Sequence, residues 1–244
     1  MVEPLGAIST PWTMIQQAQH PDASPEMRRL CLEALCLRYR EPVCEYLRVY
    51  GVSDANDRDD LTQIFFMRML ERDWLSRLDR EKGSLRGYIV TSLRNFVANE
   101  RLKSINKNPS SPLTRLSSRG GSVPEIPSKT EESSLEEVFN KEWAKNLIQE
   151  AIEVFKEECR TENLPHYYEV FERHDLHPQR FENPSYQDTA TALGYANSRI
   201  VTNHLARARR KFRDTVRKLV RMTVSSDDVS EEEMVQLERF LETE

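Results

Sequence analysis

The chain is predicted to be all-α, with two small helical domains joined by a flexible linker and an acidic extension at the C-terminus. Three observations predict this. Only 7 glycines occur in 244 residues, too few for the tight turns of an all-β chain. Apolar residues recur at spacings of three and four along most of the chain, which is the helical period. One stretch of about thirty residues loses that period, far longer than the ~4–6 residues usual between elements of one domain.

The balance of 38% apolar to 31% charged residues suits lean helical cores under a solvated surface. No apolar run approaches the ~18–20 residues of a membrane span. The start, Met1-Val-Glu-Pro, lacks a basic region followed by an apolar stretch, so a cytoplasmic protein is expected. Four cysteines, Cys31, Cys36, Cys44 and Cys159, contain no CxxC pair, and buried, reduced thiols are expected rather than disulfides or a zinc knuckle.

Taken in order, residues 1–26 read as an N-terminal extension and 27–107 as the first domain, made of three helices. In the first helix Leu32, Leu35, Cys36, Tyr39, Val43, Tyr46, Leu47 and Tyr50 line one face, and Pro42 predicts a kink or break. A second helix follows the acidic stretch Asp54–Asp60, runs to about Trp74 and buries Leu61, Ile64, Phe65 and Met69. The third carries Leu85, Tyr88, Ile89, Leu93, Phe96 and Val97. Residues 108–134, rich in Pro, Ser, Gly and Asn, read as the linker. Helical spacing resumes from Leu135 to Phe155, and Pro165, Pro178 and Pro184 punctuate shorter elements of a second domain, 135–222. Residues 223–244 are the acidic extension, read as either regulatory or a solvated terminal helix.

Charge is strongly polarised. From Arg199 to Arg221 there are nine basic residues against Asp214, a net +8, and from Met222 to Glu244 eight acids against Arg239, a net −7. Local charge, rather than the net −5, is what a phosphate backbone meets.

Three stretches carry functional information. In the first, a short helix from Tyr186 to Leu193 meets Gly194, which accommodates the positive φ of a tight turn, and Asn197 or Ser198 caps the next helix. That helix buries Val201, Leu205, Ala208 and Phe212 and presents Ser198, Arg199, Thr202, Asn203 and Arg210, flanked by Arg207, Arg209 and Lys211. This is the pattern of a helix-turn-helix, whose second helix enters the major groove while its later basic residues meet phosphate. In the second, Asp57-Arg-Asp-Asp-Leu-Thr-Gln-Ile-Phe-Phe, no histidine accompanies the carboxylates, and acids before a helix serve capping and the helix dipole rather than catalysis. In the third, Lys82 to Lys103, a Gly-bearing loop leads into a helix mixing Tyr88 and Phe96 with Arg94 and Asn95. Aromatic faces and arginines suit single-stranded nucleic acid; the same aromatics equally suit a core.

In this order the three stretches resemble the bacterial RNA polymerase sigma factors of the extracytoplasmic-function type. Asp-Asp-Leu-Thr-Gln-Ile-Phe-Phe (59–66) is similar to the family's Asp-Leu-[Val/Thr]-Gln-Glu-[Val/Phe]-Phe signature. The resemblance implies that Asp59, Asp60, Gln63 and an exposed edge of Phe66 dock on the clamp helices of the polymerase β′ subunit. It likewise implies that Lys82, Ser84, Arg86, Tyr88, Arg94 and Asn95 capture a flipped base of the −10 promoter region. The helix-turn-helix would read the −35 region while its domain holds the β flap. The resemblance covers most of residues 12–222 and is closest to the large, extended members typical of planctomycete-like bacteria, with Thr10-Pro-Trp-Thr-Met-Ile near the start and Tyr-Arg-Glu-Pro-Val at 39–43.

Three departures stand out. The turn after Gly194 is one residue longer than in short members, Thr189 occupies a usually apolar position, and the segment Cys159–Asn183 is longer and carries His166, His174 and His177. These histidines and Cys159 match no zinc-ligand spacing and are expected at the surface or in packing. The implied partners are core RNA polymerase, promoter DNA and a regulator such as an anti-sigma factor, with no cofactor or metal. The competing class is a stand-alone helix-turn-helix regulator that binds duplex operators without polymerase, which has no need of the 59–66 stretch. An enzyme is not expected, for lack of a metal cluster, a nucleophile–base pair or a phosphate-binding glycine loop.

Overall fold

The computed structural model describes residues 15, 17–71, 84–106, 113, 129–224 and 227–242. Every regular element among them is helical and none is a strand, so the chain is all-α as expected. It forms two units, Met1–Asn146 together with Val220–Glu244, and Leu147–Leu219.

The first unit begins with α1, Pro25–Tyr50. Ser24 caps it by accepting from the Met27 amide at 3.1 Å, and Pro25 sits where its missing N–H costs nothing. At the other end Gly51, at φ 112°, and Val52 return their amides to the Arg48 and Leu47 carbonyls, which stops the helix. Pro42 lies inside α1 and does not break it. It is buried, as are Tyr39, Val43 and Tyr46 of the same stretch, so packing offsets the lost backbone hydrogen bond.

Asp54 starts α2, Ala55–Glu71, by accepting from the Asn56 and Asp57 amides at 2.9 and 3.1 Å. Ser84 starts α3, Leu85–Ile105, by accepting from the Gly87 amide at 3.1 Å. Leu61, Phe65, Leu85, Ile89 and Leu93 are buried, as are Leu35, Tyr39, Val43, Tyr46, Leu47 and Tyr50 of α1, while Ile64 is half-buried. Glu100, fully buried, is held by Arg68 and Lys103. The expected end of the second helix near Trp74 lies outside the described residues, as do Lys82 and nearly all of the expected linker. Cys31 and Cys159 are buried, whereas Cys36 and Cys44 are only half-buried; all four thiols are free.

The longest helix, α4, Lys129–Thr161, serves both units. In the first unit Phe139 stacks on Tyr39 with ring centroids 6.4 Å apart, and Glu136 pairs with Arg94 at 3.0 Å. The units therefore divide within α4 at 146/147 rather than within 108–134. An apolar stripe reveals a helix but not which core each turn enters, and nearly all of 108–134 lies outside the described residues.

The second unit holds the rest of α4, then α5 (Pro165–Phe171), a π-helical turn (Glu172–Leu176) and a 3-10 turn (Pro178–Phe181). After these come α6 (Tyr186–Ala192) and α7 (Ser198–Arg221), whose last two residues count with the first unit. The acidic extension forms α8, Asp227–Glu242, and belongs to the first unit. Ser230, Glu233, Met234 and Leu237 are buried, so α8 is not a freely solvated terminal helix.

Candidate functional site

The second unit is built to present one face of α7. Phe155, Cys159, Val170, Phe171 and Ala190 form its core with Val201, Leu205 and Ala208 of α7. Phe212 joins them, its ring centroid 4.9 Å from Phe171 and 5.7 Å from Phe155. Burying each of the valine, leucine and phenylalanine side chains stabilises the unit by roughly 1.5–3 kcal/mol, which fixes the rotation of α7 about its axis.

Entry into α7 is set by local chemistry. Ser185 and Asp188 cap α6 reciprocally, the Asp188 amide donating to Ser185 Oγ at 3.1 Å and the Ser185 amide to Asp188 Oδ2 at 3.0 Å. The Ser185 hydroxyl, donating to Asp188 Oδ2 at 2.6 Å, and then the Ser185 amide hold the Asp188 carboxyl below its usual pKa. Gly194, at φ 71°, ends α6, its amide and that of Tyr195 returning to the Thr191 and Ala190 carbonyls. This is a Schellman end, which an L-residue with a side chain adopts only at a cost.

With the apolar stripe of Val201, Leu205, Ala208 and Phe212 turned inward, Arg199, Asn203 and Arg210 lie about 150–190° round the helix from its centre and Arg213 about 110° round. All four are exposed. Arg199, Arg210 and Arg213 make no ion pair with the other described residues. Thr202 is exposed beside them, its hydroxyl donating to the Ser198 carbonyl at 3.2 Å, and Ser198 is half-buried at the helix start.

The flanking cations behave differently, since Arg209 and Lys211, expected to meet phosphate, hold carboxylates of their own unit. Arg209 donates through Nε and Nη2 to both oxygens of Asp175, at 2.8 and 2.6 Å. That double bond keeps its pKa raised. Lys211 is only 22% exposed and donates to Glu162 at 2.6 Å, with Glu158 at 3.8 Å. Burial opposes its charge, but the bond to Glu162 and the two carboxylates outweigh burial and raise its pKa. Arg207 reaches the Tyr167 hydroxyl at 3.4 Å. Arg209 and Lys211 thus brace α7 against its own unit.

The long segment after Cys159 supplies these partners, which sequence reasoning missed. It also explains Thr189, which is fully buried. Its hydroxyl meets His174 Nε2 at 3.0 Å, and burial holds the His174 pKa below the ordinary value. A threonine in an apolar position was the available signal that a polar partner had to be buried beside it. His166 and His204 lie against each other with tilted rings, their centroids 4.4 Å apart. No group of three or more metal-ligating residues forms among the described residues.

In the first unit, Asp60 and Gln63 are exposed on the outer face of α2, with Met67 one turn on and 55% exposed. Asp59 is half-buried, accepting from Arg40 at 2.9 Å. Phe66 is corrected. It is buried, 8% exposed, against Phe65 at 5.2 Å between ring centroids, on the side of α2 that also buries Thr62 and Met69.

On α3, Asn95 is exposed, Tyr88 half-buried and Arg94 occupied by Glu136. Ser84 serves as the helix cap. Arg86, expected to meet DNA, is instead sequestered. Its Nε and Nη2 donate to the two oxygens of Glu233 at 2.8 and 2.7 Å, Nη1 donates to Asn140, and the guanidinium lies 5.0 Å from the Trp143 ring centre.

The chain matches no protein-family model, no curated protein and no solved structure. No helix among the described residues is long and apolar enough to cross a membrane.

Proposed function

We propose that the protein is a sigma factor of the extracytoplasmic-function type, which binds core RNA polymerase and directs it to promoters without chemistry of its own. The observation that carries this is the exposed Arg199–Asn203–Arg210 stripe on α7, opposite the buried stripe and behind a capped helix and a Gly194 turn. Side chains at the N-terminal end of such a helix reach base edges in a major groove, and later arginines meet phosphate. Arg199 and Asn203 are the base readers of the −35 element in this proposal, and Arg210 and Arg213 hold its backbone.

Support for the polymerase side comes from the first unit. Asp60 and Gln63 stand exposed on α2 within a stretch similar to the sigma-family signature, and their partner is the pair of β′ clamp helices. Asn95, exposed on α3, is assigned to the melted −10 region. A stand-alone helix-turn-helix regulator uses the same α7 face and has no use for the α2 surface.

Incubation of the tagged full chain with purified core RNA polymerase tests the proposal. Stoichiometric co-purification and promoter-dependent transcription by the mixture are expected. Duplex DNA binding with no polymerase association would replace the proposal by the stand-alone regulator.

A further inference from the structure

The C-terminal helix closes over the residue of α3 best suited to hold DNA. Arg86 is 12% exposed and Glu233 7%. Both carboxylate oxygens of Glu233 accept from the same guanidinium, at 2.7 and 2.8 Å, the fork geometry by which arginine also holds a phosphate. Immediately before it, the Leu85 amide, one of the unsatisfied donors of the first turn of α3, donates to the Thr223 carbonyl at 3.2 Å. Backbone and side chain at the start of α3 are therefore both occupied, by Thr223 and Glu233.

The arrangement is selective. Glu231, Glu232 and Glu238 of α8 are exposed, while Glu233 alone of these four is buried, on the face that also carries Ser230, Met234 and Leu237. A carboxylate in an apolar helix face is costly unless it is paired, and its position here is explained by Arg86. The partner it meets is a cation that would otherwise attract an anion.

We propose that α8 is an autoinhibitory latch, in which the Glu233 carboxylate stands in for DNA on Arg86 and keeps the start of α3 from single-stranded DNA until residues 223–242 move away. This rests on the assignment of α3 to −10 DNA. A protein whose binding-competent form is a minor fraction binds with affinity reduced by that fraction, so weakening the latch must tighten DNA binding.

The test uses the full chain, hydrogen exchange along 227–242 and at Leu85, and a labelled random-sequence single-stranded DNA of about 12 nucleotides. Glu233→Gln is expected to speed exchange at both places and to tighten DNA binding about tenfold. Met234→Gln, which loosens the same face without touching the ion pair, gives the same gain. Glu232→Gln, an equal loss of charge from the exposed side, changes neither measurement. Arg86→Gln frees α8 equally and gives no gain in DNA binding.

Faster exchange without tighter binding in Glu233→Gln and Met234→Gln would overturn the latch, as would an equal gain from Glu232→Gln or no change in exchange. Co-purification of the wild-type chain with core polymerase scores the sigma assignment separately. If that association holds and Glu233→Gln gains nothing, the latch alone falls. If association and DNA binding are both absent from every variant, the assignment falls and the latch with it.

Discussion

Arg209 and Arg210 are neighbours of equal charge on α7, and the structure gives them different surroundings. Arg209 spends its guanidinium on Asp175, at 2.6 and 2.8 Å, whereas Arg210 lies on the exposed stripe with Arg199 and Asn203. Each is replaced separately by Ala. If Arg210 neutralises one phosphate, its loss lowers the slope of log Kobs against log salt by about 0.9. Between 50 and 200 mM salt, one such contact accounts for roughly a 3.5-fold change in affinity, and at about 0.1 M its removal weakens binding approximately 8-fold. Arg209→Ala leaves the slope unchanged, because Asp175 already neutralises that charge. Its cost falls on stability instead. The pair is half-exposed, with Arg209 51% and Asp175 21% accessible, so solvent screening limits the loss to about 1 kcal/mol or less. For a unit of this size that lowers the melting temperature by no more than about 4–8 °C. Fluorescence anisotropy with a labelled promoter duplex over a salt series, together with thermal melts, reads both quantities. An Arg209→Ala slope that falls as far as that of Arg210→Ala would show that the Asp175 pair opens to DNA, and would refute the division of labour.

Asp60→Ala with Gln63→Ala should weaken co-purification with core polymerase at unchanged helical circular dichroism. Phe66→Ala should instead lower stability by about 3–5 kcal/mol in urea denaturation; a fully stable Phe66→Ala variant would contradict its burial. Glu100→Ala strands Arg68 and Lys103 beside a buried site and should cost about 3 kcal/mol, read from the urea midpoint. Because burial lowers the His174 pKa, its contribution is complete above about pH 6.5 and is lost as the pH falls through the depressed folded value. The second unit should therefore melt at lower temperature as the pH drops below about 6.5, and His174→Gln should flatten that dependence. Asn95→Ala should reduce transcription from duplex templates and leave pre-melted templates largely active; equal loss on both would assign Asn95 to folding or polymerase contact.

The all-helical class, and the faces that α1 and α7 turn inward, were legible in the sequence because their causes are local. The stripe of Val201, Leu205, Ala208 and Phe212 needs only the helical period. The end of α6 needs only Gly194 in its left-handed turn, and the start of α6 needs only Ser185 and Asp188 three residues apart. The same locality made Asp60, Gln63, Arg199 and Asn203 readable as outward-facing positions. Tertiary structure alone decided which charges are spent inside the protein. Arg86 finds Glu233 across 147 positions of sequence, Arg209 finds Asp175 across 34, and Thr189 finds His174 across 15. A lone arginine in a sequence is equally suited to a phosphate and to a carboxylate of its own chain. Which it meets depends on what packing brings within 3 Å and on how far water is excluded there. The division within α4 has the same origin, since an unbroken helical period continues through the point where one core ends and another begins.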